Sequence, residues 1–296
     1  TSLAGLVLMM EALEIADIPD FDFLDPPQQS AFKEAYAVLA ALGALVKGKP
    51  GLTERGKEMA ALPLEPTVAR MLLEAKEHGC VKDVATVAAF FSLPKGIFFR
   101  PKGKESEADF AHRKFKKQSS DALTFLEVWK AYAASGYNRG WCRDNFLNSR
   151  SLWEAKNIRE QLLSILSAHG ADAGQIQDED AVLKSVAAGL VWNLFEGSGG
   201  FRSFSYHPVL RLLARDLFIH PGSALFARTT PRFIVANELV ETTKPYMRGC
   251  SAVKPEWLPE LAPSRFQWGK RKVAAYAKGN ATARVQSAVV ALSMFG

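Results

Sequence analysis

Little in this chain of 296 residues is suited to covalent chemistry. Cysteine occurs three times, at Cys80, Cys142 and Cys250, far apart and odd in number. That spacing argues against a disulfide framework or a cysteine zinc site and favours a reducing compartment. The five histidines (His78, His112, His169, His207 and His220) are scattered without metal-ligand spacing. A Gly-x-x-x-x-Gly-Lys-Ser/Thr phosphate loop, a Gly-x-Ser-x-Gly elbow and a His-Glu-x-x-His helix are all missing. Nucleotide hydrolysis, esterase chemistry and zinc proteolysis therefore have no motif behind them. No apolar run approaches the ~20 residues of a membrane-spanning helix. The opening residues Thr1-Ser2-Leu3-Ala4 include neither Met nor a basic leader. They read as an internal segment of a longer protein, not a signal peptide. The last absence is of acid. After Glu260 there is none, whereas Arg265, Lys270, Arg271, Lys272, Lys278 and Arg284 account for the whole net charge of +6. Such a tail fits a polyanionic partner or a solvated end.

What is present is an ordinary globular composition, 48% hydrophobic and 23% charged, long enough for two or three domains. Leu6, Met9, Met10 and Leu13 recur at helical spacing, as do Phe32, Ala35, Tyr36, Leu39 and Leu42. Between them Phe21-Asp22-Phe23-Leu24-Asp25-Pro26-Pro27 reads as a loop with buried aromatics, Asp25 capping the next helix. Ala44-Leu45-Val46, a Gly/Pro turn and Leu52-Thr53 read as a hairpin. Helices followed by such a hairpin suggest a winged helix. Further on, Pro66 starts a helix, Val84 to Phe91 mark a second and Leu123 to Trp129 a third. Ser151 with Glu154 reads as the capping box of a long fourth. Gly170-Ala171-Asp172-Ala173-Gly174 is a natural boundary. Beyond it, Leu190–Phe195 running into a Gly197–Gly200 turn, Leu217–Ile219 stopped by Pro221, and Phe233–Val240 read as strands of a small barrel of OB type. There is no internal repeat and no low-complexity segment.

Binding features outnumber catalytic ones. Lys95–Lys117 carries eight Lys/Arg against three acids, together with Phe98, Phe99, Phe110 and Phe115. Cations for phosphates and aromatic faces for bases are what a single-strand groove needs. The plainer reading is a solvated basic loop with its phenylalanines in the core; it is favoured for the rings and left open for the lysines. In Trp141-Cys142-Arg143-Asp144-Asn145-Phe146-Leu147-Asn148-Ser149-Arg150-Ser151-Leu152, the Asn145 amide and Arg150 guanidinium suit phosphate, ribose or base edges. Alternatively, Trp141 and Phe146 are core and Arg150 pairs with an acid such as Asp121. Thr242, Thr243 and Lys244, with Tyr246 and Arg248, gather hydroxyl and cationic donors at a barrel rim and suit a phosphate backbone; the plainer reading is a polar loop. His220 is either a base or stacking group, or a structural strand-end histidine.

Seven stretches in order resemble the C-terminal module of DEAH-box RNA helicases. They are Phe21–Pro27; Leu52–Ala60 with Leu62–Pro66; Ile97-Phe98-Phe99-Arg100-Pro101; Trp141–Leu152 with Ile158–Leu162; Phe218-Ile219-His220-Pro221; Glu238–Arg248; and Pro255–Leu258 with Glu260–Pro263. The resemblance covers about residues 1–266 and is closest to the splicing and ribosome-assembly branch. It implies a multi-domain α+β chain: a degenerate winged helix (1–62), a ratchet-like helical bundle (63–172) and a small antiparallel β-barrel or OB-fold (173–268); the basic tail (269–296) lies outside the resemblance. It implies single-stranded RNA as partner, running between this module and the parent's RecA-like motor domains with 3′ to 5′ stepping. It also implies docking of a G-patch-type activator, no membrane, and a nuclear location with the cytoplasm as the alternative. ATP and Mg belong to the motor domains, so no cofactor and no ATPase activity are expected of this chain alone. Asn145, Arg150, Thr242, Thr243 and Lys244 are the expected RNA contacts, with Trp141 and Phe146 holding the bundle. The chain departs from the family at Ser120-Asp121-Ala122-Leu123-Thr124, where Gly-Asp-His-Leu-Thr is usual, and at Gly222, where a serine is usual. The reading that makes partner docking the main role, with little RNA binding, competes with the RNA wall.

Overall fold

A computed structural model describes residues 2–15, 17–170, 178–198, 205–211, 215–226 and 231–266. The basic tail after Phe266 lies outside the described residues, as do most of the Gly170–Gly174 boundary and the end of the Gly197–Gly200 turn.

Helix α1 (Leu3–Ala12) starts at Ser2, whose hydroxyl accepts from Gly5 N. Helix α2 (Gln29–Ala41) starts later than the sequence suggests: Gln28 is at the N-cap position, no side chain caps it, and Asp25 lies outside it. In the intervening loop Phe23 packs on Phe32, with ring centroids 5.8 Å apart, but Phe21 and Leu24 are exposed. The expected hairpin is reduced to one bridge, Leu45↔Leu52. It leads into a helix missed from the sequence, α3 (Glu54–Ala61). Thr53 joins the two, accepting from Gly56 N and donating to Gly43 O at 2.7 Å. Gly56 has a steric reason: a Cβ there would meet Ala44 O at 2.1 Å, so any side chain would push α3 off the hairpin.

Pro66 opens α4 (Pro66–Glu77), as expected, and α5 (Val81–Phe91) follows. The polar Lys95–Lys117 stretch hides α6 (Glu105–Arg113), whose inward face is only Ala108 and His112. That stripe is too narrow to read as amphipathic. Then come α7 (Asp121–Ala134), α8 (Arg139–Asp144), α9 (Ser149–Ala168) and α10 (Glu179–Gly189). Asn148, not Ser151, caps α9, accepting from Arg150 N and Ser151 N. Ser151 sits buried within the first turn. Helix α10 lies close against α4: a Cβ on Gly189 would meet Met71 Cγ at 2.2 Å and Thr67 O at 2.4 Å.

The sheet contains β1 (Leu194–Gly197), β2 (Ser205–Pro208), β3 (Leu217–Ile219), β4 (Phe233–Val235), β5 (Glu238–Glu241), β6 (Pro245–Arg248) and β7 (Ser251–Val253), followed by α11 (Leu258–Leu261). Its order is β5-β6-β3-β2-β1-β4-β7. The multi-domain α+β class, with its helical bundle and OB-type sheet, stands; closure and uniform antiparallel pairing do not. β3 and β6 run parallel, through Phe218↔Tyr246 and Ile219↔Met247. The outer edge of β7 pairs not with β5 but with the approach to α7: Ser120 bridges Ser251, and Ala252 N donates to Ser119 O at 2.9 Å. The single strand expected over Phe233–Val240 is two, broken at Ala236-Asn237, where the chain passes from one side of the sheet order to the other.

One continuous apolar core runs from α1 and α2 through α4, α5 and α10 to Phe233, Val253 and Phe266. Ala122 is fully buried in it, so the family's histidine position points inward here. A second cluster holds Phe90, Ile97, Phe115, Tyr132 and Leu152, with Trp141 against it. A third fills the sheet around Phe195, Tyr206 and Met247.

A buried carboxylate sits beside the first core. Glu74 on α4 is paired with Arg70 and, at 3.3 Å, with Arg55 of α3; His78 lies at 3.2 Å. Burial alone would raise its pKa. The Arg70 hydrogen bond and the charges of Arg70, Arg55 and His78 outweigh burial and hold it below the ordinary carboxylate value. The stabilisation is therefore complete above the unfolded-state pKa of glutamate and is lost as pH falls through the lower folded value. We expect Glu74→Gln to destabilise the chain by on the order of 3 kcal/mol at neutral pH, by stranding the arginines. The difference from wild type should shrink on acidification. Urea denaturation across that pH range checks both; a difference independent of pH would show that the charge does not matter.

Candidate nucleic-acid interface

The helical bundle and the sheet meet at α7. Its N-cap hydroxyl, Ser120 Oγ, accepts from Leu123 N and lies 2.7 Å from Ser251 Oγ. Asp121 N donates to Cys250 O at 2.8 Å. The Asp121 carboxylate, fully buried, accepts from Ala224 N at 2.7 Å through Oδ1 and from Cys250 N at 2.8 Å through Oδ2. The Ser223 hydroxyl donates to it as well. Burial pushes this carboxyl above its ordinary pKa, against those three hydrogen bonds. The backbone donors have no other acceptor to turn to, which is why an oxygen pair, and not an amide, is needed here. The alternative in which Arg150 pairs with Asp121 does not hold: Arg150 is exposed, whereas Asp121 is buried and bound by backbone N–H groups beside the strands.

Beside this junction lies a cleft of about 450 Å³. One wall is helical, from the end of α5 and the following loop: Phe90, Phe91, Lys95 and Phe98, with Lys116 and Phe125. The other is the sheet: His220, Ser223, Asn237, Glu238 and Arg248. Asn237 crosses between them, its Nδ2 donating to Phe91 O at 3.2 Å. Phe90 and Phe125 stack with centroids 5.2 Å apart and form an aromatic base. The ionisable side chains besides His220 are Lys95, Lys116 and Arg248 against Asp121, held by backbone N–H groups, and Glu238, which pairs with Arg248 at 3.7 Å. His220 stands at the end of β3 and faces the cleft, so it fits both roles considered for it. Gly222 N donates to its Nδ1 at 3.0 Å, and Arg248 Nη2 lies 3.4 Å from its Nε2. Its pKa is lowered, by burial first and then by the Arg248 charge, with Glu238 opposing. His220 therefore lines the cleft as a ring that resists protonation, not as a further cation.

The five residues expected to touch RNA are not gathered at this cleft. Asn145 is buried at 6% exposure. Its Nδ2 donates to Trp141 O at 2.7 Å and its Oδ1 accepts from Lys114, so both ends of the amide are engaged internally. Arg150 is exposed near the start of α9. Thr242, Thr243 and Lys244 form the exposed turn between β5 and β6, with Lys244 Nζ 4.7 Å from the Phe218 ring centroid. The other end of that hairpin, Arg248, does line the cleft. The Trp141–Leu152 run acts from behind. Phe146 adopts a left-handed φ of 52°, and Phe98 bridges Leu147. Phe99 N donates to Phe146 O at 2.9 Å and Asn148 N to Ile97 O at 2.8 Å. Trp141 packs edge-on to Phe115, centroids 6.0 Å apart. The run thereby holds the loop whose Lys95 and Phe98 form the helical wall. Lys95, Lys116, Asn237 and the Asp121 junction were not singled out as contacts in the sequence. Lys95 and Lys116 lay in a stretch dense in cations and aromatics, but density does not say which side chains face a groove.

Two family models match the chain. One, described as the ratchet-like helicase associated domain (HA2), covers residues 65–125. The other, an oligonucleotide/oligosaccharide-binding (OB)-fold, covers residues 182–265. Curated relatives include the probable ATP-dependent RNA helicase DHX35 of Pongo abelii, 34% identical over 272 residues, which is 91% of this chain and 37% of the relative. The protein of the same name from Homo sapiens is 34% identical over 272 residues, 91% of this chain and 38% of its own length. The chain thus spans little more than a third of these relatives. The matched segments meet at Asp121. We expect Asp121→Ala to leave two buried N–H groups without acceptors and to destabilise the chain by on the order of 3–5 kcal/mol. Asp121→Asn should recover only part of that loss, since its amide nitrogen would face a donor. Chemical denaturation of the three proteins checks the order; equal stability of Asp121→Ala and wild type would contradict it.

Proposed function

Because the chain belongs to the C-terminal module of the DEAH-box RNA helicases, we propose that it forms one wall of the single-stranded RNA path in such an enzyme. The observation that carries this reading is the cleft at Asp121, with cations on both walls over an aromatic base. Lys95 and Lys116 on one side and Arg248 on the other meet the charge of a phosphate backbone. Arg150 and the Thr242–Lys244 turn add exposed donors outside the cleft. The parent would supply the RecA-like motor domains that bind ATP and Mg²⁺, and their opening and closing would move the strand past this wall. A nuclear location in RNA processing, splicing or ribosome assembly, accords with that role. The module itself contributes binding and no hydrolysis.

Lys116→Ala and Arg248→Ala should each weaken binding of oligouridylate to the chain. Each should also lower the slope of log affinity against log salt by about 0.7, the value for one lost phosphate contact on a single strand. Fluorescence anisotropy over a salt series measures both. Absent RNA binding by the wild-type chain, or slopes unchanged in the variants, would overturn the reading.

A second reading, docking of a G-patch-type activator, is favoured by a separate apolar groove. It measures about 410 Å³ and is lined by Leu8, Met9, Met59, Leu62, Leu64 and Val68, and Met9 is largely exposed there. Apolar surface of this kind marks interaction sites. A G-patch peptide should bind the chain with little salt dependence and lose binding on Met9→Asp, with RNA affinity unchanged. Failure of the peptide to bind, or unaltered binding by the variant, would remove this second role.

A further inference from the structure

The four phenylalanines of Lys95–Lys117 divide in a way their sequence does not show. Phe115 is core, and Phe98 packs on His112 with centroids 4.7 Å apart. Phe99 and Phe110 are left 58% and 71% exposed. One exposed ring is unremarkable on a protein surface. These two, however, stand on segments fastened together. Arg100, next to Phe99, pairs with Asp109, next to Phe110, at 2.7 Å. Phe99 N and the His112 ring both bond the Phe146 carbonyl, at 2.9 and 3.0 Å. Both rings therefore stand on segments tied to one carbonyl, and the loop leads to Phe99 directly from the Lys95–Phe98 wall of the cleft.

We infer that Phe99 and Phe110 form a base-stacking platform that continues the cleft and takes successive bases of single-stranded RNA. This rests on the RNA-wall reading and adds to it the residues that bind bases, as distinct from phosphates. The charge around the rings selects the occupant. Lys102, Lys104, Arg113, Lys114 and Lys116 are exposed on the same stretch, which holds eight cations against three acids. The Arg113 guanidinium lies 6.0 Å from the Phe110 ring centroid. A polyanion with flat apolar faces satisfies both features at once: its phosphates meet the cations and its bases cover the rings. Stacking of this kind is tolerant of sequence, because every base has a π-face.

Stacking and charge pairing separate by salt dependence. Phe99→Ala and Phe110→Ala should each weaken binding of fluorescein-labelled oligouridylate to the chain about tenfold. The salt slope should stay at the wild-type value, since no phosphate contact is lost. Phe99→Tyr and Phe110→Trp should restore affinity. Circular dichroism melting of the alanine variants should match wild type, because neither ring is packed in the core. If wild type binds and the alanine variants bind equally well, the platform is wrong while the cleft reading survives. A slope reduced as in Lys116→Ala, or no rescue by the aromatic replacements, would likewise overturn the platform. Failure of wild type to bind RNA would overturn the cleft reading and, with it, the platform.

Discussion

Asp121 begins a helix by sequence position, yet its carboxylate is spent entirely on the sheet. It accepts from Ala224 N and Cys250 N, and the Ser120 hydroxyl beside it meets Ser251. A buried carboxylate costs a great deal unless it is hydrogen-bonded. Here that cost locks two architectures in one register. The edge of β7 is consumed by Ser119 and Ser120, so no strand is free to close a barrel there. The cleft exists because the two walls are pinned at its base while the α5–α6 loop and the β5–β6 hairpin extend beyond.

The same junction explains why three separate stretches of sequence act together. Lys95–Lys117, His220–Ser223 and Glu238–Arg248 lie far apart along the chain and all contribute to one groove. The Trp141–Leu152 run, the densest cluster of nucleic-acid-like donors in the sequence, stands one layer back. Its carbonyl at Phe146 accepts from both Phe99 N and the His112 ring, and its Asn145 amide closes α8 and holds Lys114. Residues that look suited to ligand binding by type are here engaged in shaping the wall that a ligand would meet.

Elements with broad apolar stripes were legible from periodicity. Pro66 opens α4, and the stretches Val84 to Phe91 and Leu123 to Trp129 supply most of the buried faces of α5 and α7. Elements stabilised by few inward residues were not. Helix α6 buries only Ala108 and His112, and α3 owes its position to Thr53 and to a glycine without room for a Cβ. Caps were misread where two candidates stood close together: Asn148 and Ser151 both qualify by type, and only the chain path shows which one precedes the first turn. Phe233–Val240 looked like one strand because alternation does not record a change of partner at Ala236-Asn237.

The sequence by itself determined the family, the class of fold and the absence of a nucleotide-hydrolysing loop, because these reside in residue order and short-range spacing. It also marked the segments rich in cations, rings and amides. Only the tertiary structure decided which of those side chains face a shared cleft, since burial and hydrogen-bond partners are set by contacts across a hundred residues or more, as between Asp121 and Cys250. That is why Lys116 and Arg248 came to line opposite walls of one cleft, whereas Asn145 turned inward on nearer partners, Trp141 and Lys114. Phe99 and Phe110 stayed in solvent while Phe115 did not, because three residues of one type on one stretch are separated by packing alone.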